Sequence, residues 1–123
     1  MTDFTIDDLL LLAEAMGWKR CDSFHLLRPG LFAVSDETLY VRDPTGVRQW
    51  NPYTSFSDAG MLMRALGIDL LCIQDDDEGP PVAWEGTDSS YRCDICVRVE
   101  GNTEAAQCKA ICGAALQMRR AKG

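Results

Sequence analysis

The sequence has one histidine, His25, and no apolar stretch near the roughly 18 to 20 residues that a membrane-spanning helix requires. It contains no glycine-rich phosphate cradle, no Gly-x-Ser-x-Gly elbow and no paired metal-binding histidines. The common signatures of nucleotide, hydrolase and metalloprotease chemistry are therefore missing, and no catalytic residue is assigned. Residues 1–8 carry acids where a secretory leader would carry bases, so a cytoplasmic protein with no membrane contact is expected. Acids are absent after Glu104. Lys109, Arg119, Arg120 and Lys122 give residues 105–123 a charge of +4, which leaves −11 on residues 1–104 of a chain whose total is −7. A body of that sign repels phosphate backbones, so direct nucleic-acid binding is not expected. A protein partner with a basic surface is.

What is present suits a single α+β domain over residues 1–123. The 123 residues are 46% hydrophobic and 25% charged, close to soluble globular averages, which sets aside disordered and fibrous classes. Cys21, Cys72, Cys93, Cys96, Cys108 and Cys112 are even in number. With no leader and enough apolar residues for a core, they read as reduced thiols and not as a disulfide framework.

Thr5, Asp7 and Asp8 open a helix that Gly17 closes, with Ile6, Leu9, Leu10, Ala13 and Met16 as its apolar stripe and Leu11 outside it. Residues 31–34 and 38–41 alternate as short strands around a turn at 35–37, and residues 42–46 make the next turn. Ser55 or Ser57 caps a middle helix carrying Ala59, Leu62, Met63 and Leu66, which Gly67 stops. Residues 68–74 form a strand, and residues 82–84 briefly re-enter the sheet after an acidic loop. Tyr91, Cys93, Ile95, Val97 and Val99 alternate with polar neighbours as a half-buried strand. Thr103 caps a last helix with Ala105, Cys108, Ile111, Cys112, Ala115 and Leu116 inward. The connections look too short for parallel crossovers. The expected architecture is a small antiparallel sheet of about four strands sandwiched between an N-terminal, a middle and a C-terminal helix.

Met16-Gly17-Trp18 at the first helix end, Trp50-Asn51-Pro52-Tyr53-Thr54 leading into a helix with Asp58-Ala59, and the closing Ala110-Ile111-Cys112-Gly113-Ala114-Ala115-Leu116 resemble, in that order, the phage α-β-α sandwich domain family. The resemblance spans nearly the whole chain except residues 67–88. It implies a helix-flanked antiparallel sheet and a phage origin, and it carries over no catalytic residue.

Cys93 and Cys96 have zinc-knuckle spacing, and Cys108 and Cys112 share a helix face. Residues three apart in a strand point to opposite faces, however, so these thiols read as packing and no metal or cofactor is assigned. Cys21 and His25 sit in what reads as a turn, with no third group to orient a nucleophile pair. Trp18, Trp50, Trp84, Tyr40, Tyr53 and Tyr91 read as core. Asp75, Asp76, Asp77 and Glu78 fail the calcium-loop pattern, since Pro80 and Gly86 stand where its glycine and glutamate belong. Extended by Glu85 and Asp88 and anchored by Trp84, they are the candidate partner-binding residues. The expectation is a non-enzymatic phage accessory protein that binds a macromolecule. One version is an anti-CRISPR-like inhibitor of host defence that occupies the basic groove of a nucleic-acid-binding effector complex. The first rival is a structural or self-assembling phage protein, with Leu11 in the contact of a homodimer, and the second is a zinc or redox protein built on the late cysteines. A nucleotide trap would have only Arg92 and Arg98 to offer.

Overall fold

The computed structural model describes residues 4–74, 79–88 and 95–122. In chain order they form α1 (Ile6–Ala15), β1 (Lys19–Arg20), a 3-10 turn (Phe24–Leu26), β2 (Leu31–Ser35), β3 (Thr38–Asp43), β4 (Gly46–Gln49), α2 (Phe56–Leu66), β5 (Ile68–Ile73), β6 (Ala83–Asp88), β7 (Cys96–Glu100) and α3 (Glu104–Lys122). The α+β class and the three helices are those expected. The strands divide between two sheets, ordered β1-β2-β3-β4 and β5-β6-β7. The chain correspondingly falls into two compact units, Met1–Asn51 and Pro52–Gly123.

In the first unit, the Thr5 hydroxyl accepts from the Asp8 amide at 3.2 Å and the Asp8 carboxylate accepts from the Thr5 amide at 3.2 Å. This reciprocal cap satisfies two amides that the helix cannot. α1 buries Leu9, Leu12 and Ala13. The expected stripe is thus rotated: Leu12 joins the core while Ile6, Leu10 and Met16 stay half-buried, as does Leu11. Four consecutive leucines offer several stripes, and packing against β3 selects among them. The pairs Phe32↔Val41 and Val34↔Leu39 share one sheet face, on which Phe32, Leu39 and Val41 are buried. Trp50 is fully buried, with Trp18 edge-on at 4.9 Å.

β1 runs parallel to β2, pairing Lys19 with Leu31, which corrects the all-antiparallel expectation. The intervening segment, with its 3-10 turn, is long enough to bring the chain back in the same direction, so two residues pair without a helical crossover. The β2–β3 turn places Asp36 and Glu37 at φ 53° and 62°, the left-handed pair that matches hairpin twist. In the β3–β4 turn, Asp43 accepts from the Thr45 amide at 2.8 Å, the Thr45 hydroxyl at 2.5 Å and Arg48 Nε at 2.6 Å. These bonds, led by the Thr45 hydroxyl, hold its carboxyl below the ordinary value.

In the second unit, the Ser55 hydroxyl caps α2 by accepting from the Asp58 amide at 3.3 Å, and Gly67 ends it at φ 70°. β6 runs to Asp88, longer than the brief re-entry expected, and pairs antiparallel with β5 and β7. β7 keeps the expected alternation, with Val97 and Val99 half-buried between exposed Cys96, Arg98 and Glu100; the expected strand positions 91–94 lie outside the described residues.

α3 crosses this sheet at very close range. An added Cβ at Gly86 would run into the Ala110 carbonyl oxygen and lie 3.2 Å from Ala114 Cβ, and one at Gly113 would lie 2.8 Å from Val97 Cγ1. Only hydrogen at these two positions lets the layers meet. The helix also packs on α2, so it is buried on two sides. Ala106, Ala110 and Ala114 are buried alongside Cys108, Ile111, Cys112, Ala115 and Leu116. Ala105, expected inward, is exposed, because the sheet-facing row runs through Ala106 and Ala110. Among the described residues, no helix is long and apolar enough to cross a membrane.

Candidate functional site

The close approach at Gly86 orients the whole second sheet. A side chain at Gly86 would point at α3, so by strand alternation Trp84 and Asp88 share its face while Ala83, Glu85 and Thr87 face away. Through the registers Asp69↔Thr87, Leu71↔Glu85 and Glu85↔Arg98, the face away from α3 also carries Asp69, Leu71, Cys96, Arg98 and Glu100. Asp69 and Glu100 are exposed, Glu85 is half-buried, and Leu71 is 50% exposed at the centre of the edge strand. Arg98 Nε donates to Glu100 at 2.8 Å, so the one cation among the described strand residues of this face is engaged by one of its acids. Three carboxylates around one exposed leucine make a small acidic surface with an apolar contact point.

The sequence-derived residues are not all brought together. Asp75, Asp76, Asp77 and Glu78 lie outside the described residues. Their loop leaves the sheet at Ile73 and returns at Ala83, and its base is fixed by the Val82 amide on the Ile73 carbonyl at 2.8 Å and by Gln74 Nε2 on the Gly79 carbonyl at 2.7 Å. Glu85 stands near that end on the acidic face. Asp88 is at the opposite end of β6, about 16 Å away by strand rise, and on the α3 face. Trp84 is half-buried on the α3 face with its Nε1 buried and without a hydrogen-bond partner among the described residues. Sequence reasoning missed Asp69, Leu71 and Glu100. The spacing of Asp69, Leu71 and Ile73, two apart in a strand, was the available signal; the register that sets them beside Glu85 was not readable.

The cysteines separate just as clearly. Cys96 is exposed on the face away from α3, while Cys108 and Cys112 are buried in α3 itself, on the other side of the sheet. Burial, with Glu104 and Asp58 nearby, pushes the Cys108 thiol up, and burial pushes Cys112 well up. Both shifts favour the neutral thiol, which packs as a small apolar group. Among the described residues, no three metal-binding side chains cluster. Cys93 lies outside them.

In the first unit, Arg20, Cys21, Asp22, Ser23, Phe24, Ala33 and Val34 line an open cleft of about 320 Å³. The Cys21 thiol donates to the Ser23 carbonyl at 3.4 Å, and the Ser23 hydroxyl accepts from the His25 amide at 3.2 Å, so the segment forms the turn its sequence implies. No protein-family model, no curated protein and no solved structure matches the chain.

Proposed function

We propose that this chain is a non-enzymatic binding protein that captures a macromolecular partner with a basic surface. One observation carries the reading: residues 52–104 hold eleven acids against three bases, and the described strands of that region present Asp69, Glu85 and Glu100 around the exposed Leu71. The acidic run 75–78 extends the same charge in sequence. Charge of one sign draws an oppositely charged surface over about a Debye length and raises the association rate, while an apolar anchor slows release. The resemblance to small phage domains supplies the setting of this proposal. The chain would act in the bacterial cytosol as a phage accessory protein, and the groove of a nucleic-acid-binding defence complex is a partner of the right charge.

The test is capture from host lysate by the immobilised full chain, compared with two neutralised variants. One carries Asp75→Asn, Asp76→Asn, Asp77→Asn and Glu78→Gln; the other carries Asp69→Asn, Glu85→Gln and Glu100→Gln. A basic protein retained by the parent, released by salt and lost from both variants supports the reading. Equal retention by the variants rejects it.

A further inference from the structure

The first sheet presents a face of the opposite kind. Alternation from the Ala33↔Tyr40 pair sets Lys19, Leu31, Arg42, Val47 and Gln49 on one side with Tyr40, opposite the side on which Phe32, Leu39 and Val41 are buried. Lys19 and Arg42 are exposed, Val47 is 48% exposed, and Phe24 from the 3-10 turn stands edge-on to Tyr40 at 5.2 Å while remaining 42% exposed. None of the strand positions on this face is acidic, and among the described residues the one acid beside it is the exposed Asp22, which shares a cleft with Phe24 and Ala33. Asp43, the acid of β3, points to the other side, where Arg48 holds it. Asp36 and Glu37 belong to the turn beyond Ser35, at the end of the sheet away from Arg42. Arg48 and Arg98 are both ion-paired, whereas Lys19 and Arg42 hold no ion pair among the described residues.

We propose that this face docks an acidic segment of a partner protein. Its carboxylates meet Lys19 and Arg42, and an apolar side chain lies against Phe24, Tyr40 and Val47. β1 and β3 are separated by one strand, so the two cations stand about 10 Å apart, a span that carboxylates two to four residues apart on an extended peptide reach given flexible Lys and Arg side chains. A nucleic acid fits less well. Its phosphates recur along the whole strand, and two cations neutralise only two of them. The inference is independent of the acidic sheet and of the reading built on it.

The test is fluorescence anisotropy of the full chain with a short labelled peptide that alternates Glu and Ser around a central Phe. Saturable binding is expected at low ionic strength, weakening by about tenfold or more as the Debye length falls from about 30 Å to about 8 Å. The double variant Lys19→Glu with Arg42→Glu loses about tenfold or more, Val47→Ser loses a few-fold, and Arg98→Gln on the other sheet loses nothing. Circular dichroism checks the fold, and Lys19→Gln with Arg42→Gln replaces the reversal if it perturbs folding. No saturable binding overturns the proposal, as does equal affinity for the peptide with Gln in place of Glu. So does binding unaffected by the double variant, or tighter binding of a single-stranded oligonucleotide.

Discussion

The two units solve the packing problem in opposite ways. The first fills its interior with large side chains, Leu12 from its short helix, Phe32 and Leu39 from its four-stranded sheet and Trp50 from the residue after β4. The second brings its layers together at glycines, with the backbone of Gly86 under that of Ala110 and Gly113 against the Val97 side chain, and lines α3 with alanine and cysteine. A core made of large groups is sensitive to their loss. One made of absent groups is sensitive to their gain.

The largest expected effect follows directly. Phe32→Ala should cost about 3 to 5 kcal/mol through lost transfer energy and the cavity left behind. Urea unfolding of the full chain measures it, and a cost under about 1 kcal/mol would mean that the first unit does not depend on large-group packing. Next, Gly86→Ala should cost about 1 to 3 kcal/mol or more, since its methyl group meets a carbonyl oxygen that cannot swing aside. The same added methyl at Gly60, where nothing lies within 4 Å, should be neutral or slightly stabilising. Equal effects at the two glycines would break the contrast.

A smaller effect depends on pH. The folded-state values of Cys108 and Cys112 lie above a thiol's ordinary value of 9.0, so the folded chain keeps protons that the unfolded chain releases. Their contribution is fully present below about 9 and is lost as pH rises through the folded values. The loss is about 1.4 kcal/mol per pH unit for each thiol that stays protonated. Denaturation midpoints across alkaline pH should fall for the parent chain and flatten for Cys108→Ala with Cys112→Ala; parallel curves would show that the thiols ionise freely. The smallest effect is a gain. Glu37→Gly should stabilise the first unit by about 0.5 to 1 kcal/mol, because a side chain at φ 62° is disfavoured and glycine is not. A measured loss would show that the Glu37 side chain contributes something that its conformation conceals.

Local chemistry was legible in the sequence, and pairing was not. Thr5, Ser55 and Gly67 take the capping roles that their residue types imply, because a cap involves only its own turn. The 35–37 turn and the alternation at Val97 and Val99 are equally local. Each sheet pairs strands that follow one another in the chain, so the split into two sheets turns on one pairing that does not form, β4 with β5 on either side of α2, and the two residues of β1 form a strand only because Leu31 and Phe32 offer them partners. Leu12 was missed because four leucines in a row carry no phase of their own. The acidic patch shows the same limit: Glu85 could be named from its charge, but its neighbours Asp69 and Glu100 come from registers that only the fold supplies. Asp88, close to Glu85 in sequence, turns to the α3 face.

Charge extends the contrast to the surface, one sheet presenting carboxylates around Leu71 and the other cations around Tyr40. The most direct test is a titration of the isotope-labelled full chain with an arginine-rich peptide at low ionic strength, followed by amide chemical shifts. Shifts should concentrate at Asp69, Leu71, Glu85 and Arg98 and disappear on adding salt. Shifts that centre instead on Lys19, Tyr40 and Arg42, or that spread evenly over both units, would contradict an acidic capture surface on the β5–β7 sheet.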